Sequence, residues 1–113
     1  SAKPPTEMAR FVVGLLYKGP AWTAQVTDET KKLQEGHMQS INRLIESGQM
    51  ALAGPFDDAG DLRGMFIFNV KSVAEARTLV ETDPAVQAKR LRVDLFSWYG
   101  PAAVATVVRP AKR

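Results

Sequence analysis

Four stretches of the chain are rich in apolar, β-branched and aromatic residues, and most end near glycine, proline or a charged residue. This composition predicts β-strands at residues 10–17, 50–53, 62–70 and 91–99. The first stretch carries almost no charge, which is typical of a central strand covered on both faces. We therefore expect a sheet in which residues 10–17 occupy an inner position.

A long helix is predicted between the first two strands, from Asp28 to Glu46. Asp28 and Glu29 lie in its first turn, where the helix dipole favours negative charge. Gly48 stands where a left-handed residue commonly ends a helix. The apolar residues of this segment recur at helical spacing and so share one face. These residues are Leu33, Ile41, Leu44 and Ile45.

A second helix is predicted after the third strand, because Ser72 and Glu75 have the spacing of a capping box. Asp83 and Pro84 interrupt this helix. Asp83 suits the cap of a new short helix, and Pro84 suits its first residue. The residues that we expect the second helix to bury are Val73, Ala76, Leu79 and Val80.

The predicted order is strand, helix, strand, strand, helix, strand. This order indicates an α+β, ferredoxin-like βαββαβ fold with a four-stranded antiparallel sheet. We expect an N-terminal arm at residues 1–9, the domain at residues 10–101 and a C-terminal tail at residues 102–113. Helices on only one face of the sheet leave the other face bare, and its apolar surface favours association into a homodimer.

His37, the only histidine, lies on the apolar face of the long helix, one turn after Leu33 and one turn before Ile41. A buried imidazole needs a hydrogen-bond partner. Each of the two predicted helices connects strands by a right-handed crossover, so the first and second helices run in roughly the same direction. At about 1.5 Å per residue, His37 and Asp83 then lie at nearly equal depth along their helices. The topology therefore predicts a contact between them, with Gly54 close by.

Each of these residues also has a purely structural interpretation. Asp83 as a helix cap contributes about 1 kcal/mol without any catalytic role. A lone histidine on an apolar face is often a core residue whose hydrogen bond is satisfied. One carboxylate can also cap a helix and contact a histidine, so the two interpretations of Asp83 remain compatible.

Composition excludes several classes of function. The 113 residues carry a formal net charge of +3 and no cysteine. The absence of cysteine rules out disulfides, thiolate zinc sites and cysteine nucleophiles, and a single histidine argues against a metal site. The aromatic residues lack interleaved lysines, so we expect no nucleic-acid partner. No apolar run approaches a membrane span.

The compartment stays open. The chain begins at Ser1 rather than at methionine, which suggests that a leader or tag has been removed. We expect a soluble protein of the bacterial cytoplasm or, if a leader preceded Ser1, of the periplasm.

The helix with His37, the Gly54-Pro55 pair and the Asp83-Pro84-Ala85-Val86 segment together resemble the YciI-like family of the dimeric α/β barrel group. The resemblance runs from about Arg10 to Pro101, and it depends on the joint spacing because each motif alone is short. The most similar subset also has counterparts of Gly19-Pro20-Ala21-Trp22 and Trp98-Tyr99-Gly100-Pro101.

This resemblance implies that His37 and Asp83 form the active-site pair. It also implies a homodimer that packs sheet to sheet, with a cleft in each chain for a small molecule. One relative in the family is similar to a dehydrochlorinase that acts on a chlorinated hydroxyquinol, which suggests a type of reaction.

We therefore expect cofactor-independent acid/base chemistry of the lyase or isomerase type. Asp83 fixes one ring nitrogen of His37, and the other nitrogen transfers a proton on an aromatic or enolisable substrate. Gly54 and Pro55 lie at the expected site, and Arg63 is a candidate for an anionic group, or otherwise a solvated charge. The candidate aromatic walls, which alternatively belong to the core or to a dimer contact, are Trp22, Phe56, Trp98 and Tyr99.

Two functional hypotheses from different classes follow. The first is the small enzyme described above. The second is a non-catalytic dimer that binds a small metabolite in the same cleft or assists another enzyme. A monooxygenase of the same barrel group is a weaker third hypothesis, because it rests on fold analogy alone.

Overall fold

A computed structural model describes residues 7–58 and 60–106. Their strands form one antiparallel sheet in the order β2-β3-β1-β4. The sheet order and the alternation with helices confirm the ferredoxin-like α+β prediction. The strands are β1 Met8–Lys18, β2 Met50–Pro55, β3 Leu62–Phe68 and β4 Leu91–Pro101. The helices are α1 Asp28–Glu46, α2 Val73–Val80 and α3 Pro84–Gln87. A 3-10 segment at Ala102–Thr106 follows β4.

The bounds of α1 agree with the sequence prediction, and its ends have clear local causes. Thr27 and Thr30 cap each other's backbone at the first turn, which satisfies amide donors that no helical carbonyl reaches. Gly48 has a φ of +82°, so the left-handed residue expected just beyond the helix is present. Leu33 is only half-buried, and the buried residues of α1 are His37, Ser40, Ile41 and Leu44.

The two longest strands exceed their predicted lengths because they pair with each other from end to end. Met8 lies opposite Pro101, and Lys18 lies opposite Leu91. β1 therefore begins two residues earlier than expected. Residues 1–6 of the predicted arm and 107–113 of the predicted tail lie outside the described residues. β3 ends at Phe68, and the N–H of Asn69 then donates to the carbonyl of Gln49 at 2.8 Å.

The core lies between the helices and one face of the sheet. The ladder register puts Val12, Phe68 and Val93 on the same face, and the helices pack against them. Val73 was predicted to be buried, but it is exposed because α2 contacts the core through its later turns. The buried residues that these turns contribute are Ala76 and Val80.

The opposite face of the sheet remains largely apolar. Phe11 is buried there, and its ring lies 5.9 Å from the ring of Trp98. The 3-10 segment contacts β1 and β2. Leu52 and Phe96 remain exposed. The described chain therefore leaves part of this sheet face uncovered.

We predict that Phe68→Ala lowers the free energy of unfolding by about 3–5 kcal/mol, because it removes a large side chain with no exposed area from the packed core. Phe56→Ala, which removes a ring that is 37% exposed, provides the control, and we expect a loss below about 1 kcal/mol. Urea denaturation measures both changes. Equal losses in the two variants would contradict this description of the core.

Candidate functional site

His37 and Asp83 are in direct contact between α1 and α3. His37 Nδ1 lies 2.6 Å from Asp83 Oδ2, and the two residues are only 7% and 3% exposed. A carboxylate accepts hydrogen bonds, so Nδ1 carries the proton and donates it. The other oxygen, Oδ1, accepts the N–H of Ala85 at 2.9 Å. Asp83 therefore caps α3 and holds the imidazole at the same time.

This contact requires α1 and α3 to approach each other closely. Gly36 precedes His37 and faces Pro84, and a Cβ atom built on Gly36 would lie 2.8 Å from Pro84 Cγ. Such a distance is too short for two carbon atoms, and the proline ring has little freedom to move away. The absence of a side chain at Gly36 thus allows Asp83 to reach His37.

The second ring nitrogen of His37 is available for chemistry. Nε2 has no hydrogen-bond partner among the described residues, and these residues contain no buried side-chain nitrogen or oxygen without a partner. Nε2 therefore keeps contact with solvent. With the proton on Nδ1, Nε2 of the neutral ring presents a lone pair that can accept a proton. The ring of Phe66 lies 6.1 Å from the imidazole and limits its movement on one side.

His37 opens onto a cavity of about 330 Å³ between α1 and the sheet. This volume lies at the lower end of the range for small-molecule sites, and most of the wall is apolar, as such sites usually are. A molecule with a single ring fits a space of this size. The lining residues are Leu16, Trp22, Gln34, His37, Met38, Ile41, Ala53, Gly54, Pro55, Arg63, Gly64, Phe66, Arg90 and Leu91.

Comparison with known proteins identifies the family of the chain. A family model described as the YCII-related domain matches residues 11–98. The chain belongs to the YCII-related family. This assignment confirms the YciI-like resemblance, and the matched range contains both His37 and Asp83.

A solved structure has the same fold as this YCII-related chain. It is 5-chloro-2-hydroxyhydroquinone dehydrochlorinase from Burkholderia phenoliruptrix AC1100 in complex with 2,5-dihydroxybenzoquinone. The sequence identity is 20%, the TM-score is 0.53, and the match covers 76% of this chain and 92% of the dehydrochlorinase chain. At this identity the likeness shows the fold. Among curated proteins, no significant match was found.

Several of the predicted site residues of the YCII-related chain meet at the cavity. Trp22, Gly54, Pro55 and Arg63 line it together with His37. Asp83 lies behind the imidazole and does not line the cavity. The functional roles of these residues remain predictions, but their predicted proximity agrees with the structure.

Three predicted wall residues do not line the cavity of this chain. Trp98 points to the opposite face of the sheet, where its ring packs on Phe11 and covers Gly100. Tyr99 is exposed near the end of β4, with the Arg10 guanidinium 5.2 Å from its ring. Phe56 follows β2 and is also exposed. Trp98 does not reach this cavity because alternation along β4 separates it from the helix face. That Phe56, Trp98 and Tyr99 contact a substrate stays a prediction.

Sequence reasoning missed several residues of the cavity wall, among them Gln34, Met38 and Arg90. Gln34 lies three residues before His37 and four residues before Met38, so helical spacing was an available signal for this part of the wall. Arg90 had no such signal. It arrives at the cavity because Lys89, with a φ of +60°, turns the chain between α3 and β4.

Residues 7–58 and 60–106 contain no group of three or more His, Cys, Asp or Glu side chains arranged to hold a metal ion. No helix in this part of the chain is long and apolar enough to cross a membrane.

We predict that Gly36→Ala separates α1 from α3. The added methyl group gains about 1 kcal/mol of helix propensity, but we expect the clash with Pro84 to cause a net loss of about 1–3 kcal/mol. Gln39→Ala, on the exposed side of α1, is the control. Urea denaturation measures stability, and the low-field NMR signal of the His37 Nδ1 proton reports the contact with Asp83. A more stable Gly36→Ala variant with an unchanged ring-proton signal would refute the role of Gly36.

Proposed function

We propose that this protein is a small cofactor-independent enzyme that transfers protons on an aromatic or enolisable molecule. His37 is the proposed acid/base residue, and Asp83 orients its ring. The observation that carries this proposal is that the two ring nitrogens differ in their surroundings. Nδ1 is bonded to a buried carboxylate, while Nε2 has no partner among the described residues and the ring lines the cavity. A positioned acid/base group of this kind typically accelerates proton transfer by about 10²–10⁴-fold.

The type of reaction is proposed from the fold relative. That relative is a dehydrochlorinase whose structure contains a ring-shaped quinone. Elimination of hydrogen chloride requires the removal of a proton and the departure of chloride with the electron pair of the carbon–chlorine bond. A histidine with one free nitrogen can supply the proton transfer. We therefore propose lyase or isomerase chemistry, with dehydrochlorination as the first reaction to test.

We predict that His37→Gln and Asp83→Asn each lower the rate of proton transfer by about 10²-fold or more. Glutamine at position 37 keeps a donor for Asp83, and asparagine at position 83 keeps an acceptor for His37. Each variant therefore leaves a hydrogen-bond partner for the remaining native residue in the core. Gln39→Ala is the control. Two assays measure the rate: chloride release from 5-chloro-2-hydroxyhydroquinone, and exchange of the ring hydrogens of hydroxyhydroquinone in D₂O.

The same assays separate the enzyme from a non-catalytic binding protein. Turnover that is lost in folded His37→Gln and Asp83→Asn variants supports the enzyme. A wild-type protein that binds 2,5-dihydroxybenzoquinone but catalyses neither reaction would contradict it and support a protein that binds a small metabolite. Circular dichroism and urea denaturation establish that the variants are folded.

We also propose that two copies of the chain associate through the open face of the sheet. Phe96 and Leu52, at the two edges of the sheet, are 51% and 39% exposed on this face. Apolar surface of this kind contributes about 25 cal/mol per Å² when it is buried. Removing this face from water therefore favours the homodimer.

We predict that light scattering detects a dimer at micromolar concentration and that Phe96→Glu shifts it to a monomer. A carboxylate on an apolar interface must lose its hydration, which opposes association. Val26→Glu changes an exposed residue in the loop before α1 and is the matched control. A wild-type monomer, or a dimer that persists in Phe96→Glu, would rule out this interface.

A further inference from the structure

Two arginines line the cavity together with His37, and both lie near the same indole ring. The Arg90 guanidinium is 4.4 Å and the Arg63 guanidinium 5.4 Å from the centre of the Trp22 ring. Both arginines are half-buried. The ammonium group of Lys18 lies 5.5 Å from the same ring. Three positive charges therefore surround one aromatic side chain at the cavity wall.

The arginines have no acidic partner among the described residues. The ion pairs found there are His37–Asp83 and Arg92–Asp94, so neither Arg63 nor Arg90 has a carboxylate within 4 Å. None of the described residues that line the cavity is an aspartate or a glutamate. No carboxylate of residues 7–58 and 60–106 therefore forms an ion pair with either arginine of this wall.

Each of the two guanidinium groups also makes few hydrogen bonds to the residues that the structure describes. Arg63 donates to the carbonyl of Gly60 at 3.4 Å, and Arg90 donates to the carbonyl of Thr23 at 2.9 Å. A guanidinium has five N–H donors, and its planar geometry matches two oxygens that share a negative charge. The bonds to carbonyl groups position the two side chains and leave other donors available.

We infer that the cavity binds an organic anion whose charge is shared between two oxygens, and that Arg63 and Arg90 hold this group. A ring carboxylate and an ionised hydroxyquinone both have this chemistry. Trp22 supports the guanidinium groups by cation–π contact and supplies an apolar surface for the ring. The apolar remainder of the cavity wall accommodates the rest of the molecule. That this anion reacts at His37 rests on the proposed function, whereas its binding by the arginines does not.

The test is isothermal titration calorimetry of the full chain with three ring-shaped probes. Salicylate carries a carboxylate, 2,5-dihydroxybenzoquinone is ionised at neutral pH, and hydroquinone is neutral. We expect at least one of the two anions to bind at least about ten-fold more tightly than hydroquinone, because charge-assisted hydrogen bonds are the stronger ones. The anion that binds more tightly shows whether the cavity prefers a ring carboxylate or an ionised hydroxyquinone. High salt should weaken the binding of the anion and leave that of hydroquinone unchanged.

Arg63→Gln and Arg90→Gln assign the effect to the two side chains. We expect each variant to weaken anion binding by about ten-fold or more and to leave hydroquinone binding unchanged. Arg92→Gln is the matched control, because Arg92 is an exposed arginine of β4 that pairs with Asp94 outside the cavity. Hydroquinone binding as tight as that of both anions, or equal anion affinity in all three variants, would overturn the inference.

The anion inference and the proposed function can fail separately. His37→Gln should keep the arginine-dependent affinity for the anion while it loses turnover. Anion binding that depends on Arg63 and Arg90, without any proton transfer in the wild type, contradicts the proposed function alone. Proton transfer that persists undiminished in both arginine variants, with no preference for anions, contradicts the inference alone.

Discussion

The hydrogen bond between His37 and Asp83 links the long helix to the start of α3 inside the core. Removing either partner would leave the other as a buried polar group without its hydrogen bond, which typically costs about 1–3 kcal/mol. The ferredoxin-like topology places the two helical segments side by side, and Gly36 allows them to approach closely. The same contact that satisfies two buried polar groups also fixes the tautomer of the ring. Stability and the orientation of the second ring nitrogen thus depend on one interaction.

The proposed acid/base pair and the arginines of the cavity come from different elements of the fold. His37 and Asp83 come from α1 and the cap of α3, whereas Arg63 and Arg90 come from β3 and the turn before β4. The rest of the cavity wall is mostly apolar. The low dielectric constant of such surroundings strengthens the electrostatic interactions of a bound molecule. This arrangement suits a small ring that carries charge at one position and reacts at another.

Much of the fold was predictable from the sequence because local signals and topology agree. The helical spacing of apolar residues defined α1, and Asp83-Pro84 marked the start of α3. The pairing of His37 with Asp83 followed from equal depth along two helices of similar direction. Val73 was misplaced because hydrophobic spacing alone does not show which turn of a short helix touches the sheet.

The composition of the cavity wall was harder to predict, for a physical reason. Trp98 and Trp22 look alike in the sequence, since each stands near a Gly-Pro pair. Their positions differ because alternation along β4 turns Trp98 to the open face, while the loop after β1 carries Trp22 to the cavity. Arg90 depends on the left-handed turn at Lys89, a conformation that the sequence does not indicate for a lysine.

The double role of Asp83 has a thermodynamic consequence. One carboxylate caps α3 through Oδ1 and holds the imidazole through Oδ2, so the fraying of this short helix and the release of the ring are coupled. A molecule that binds only to the oriented imidazole therefore also stabilises α3. Binding in the cavity and the order of α3, which lies outside the cavity, therefore depend on each other.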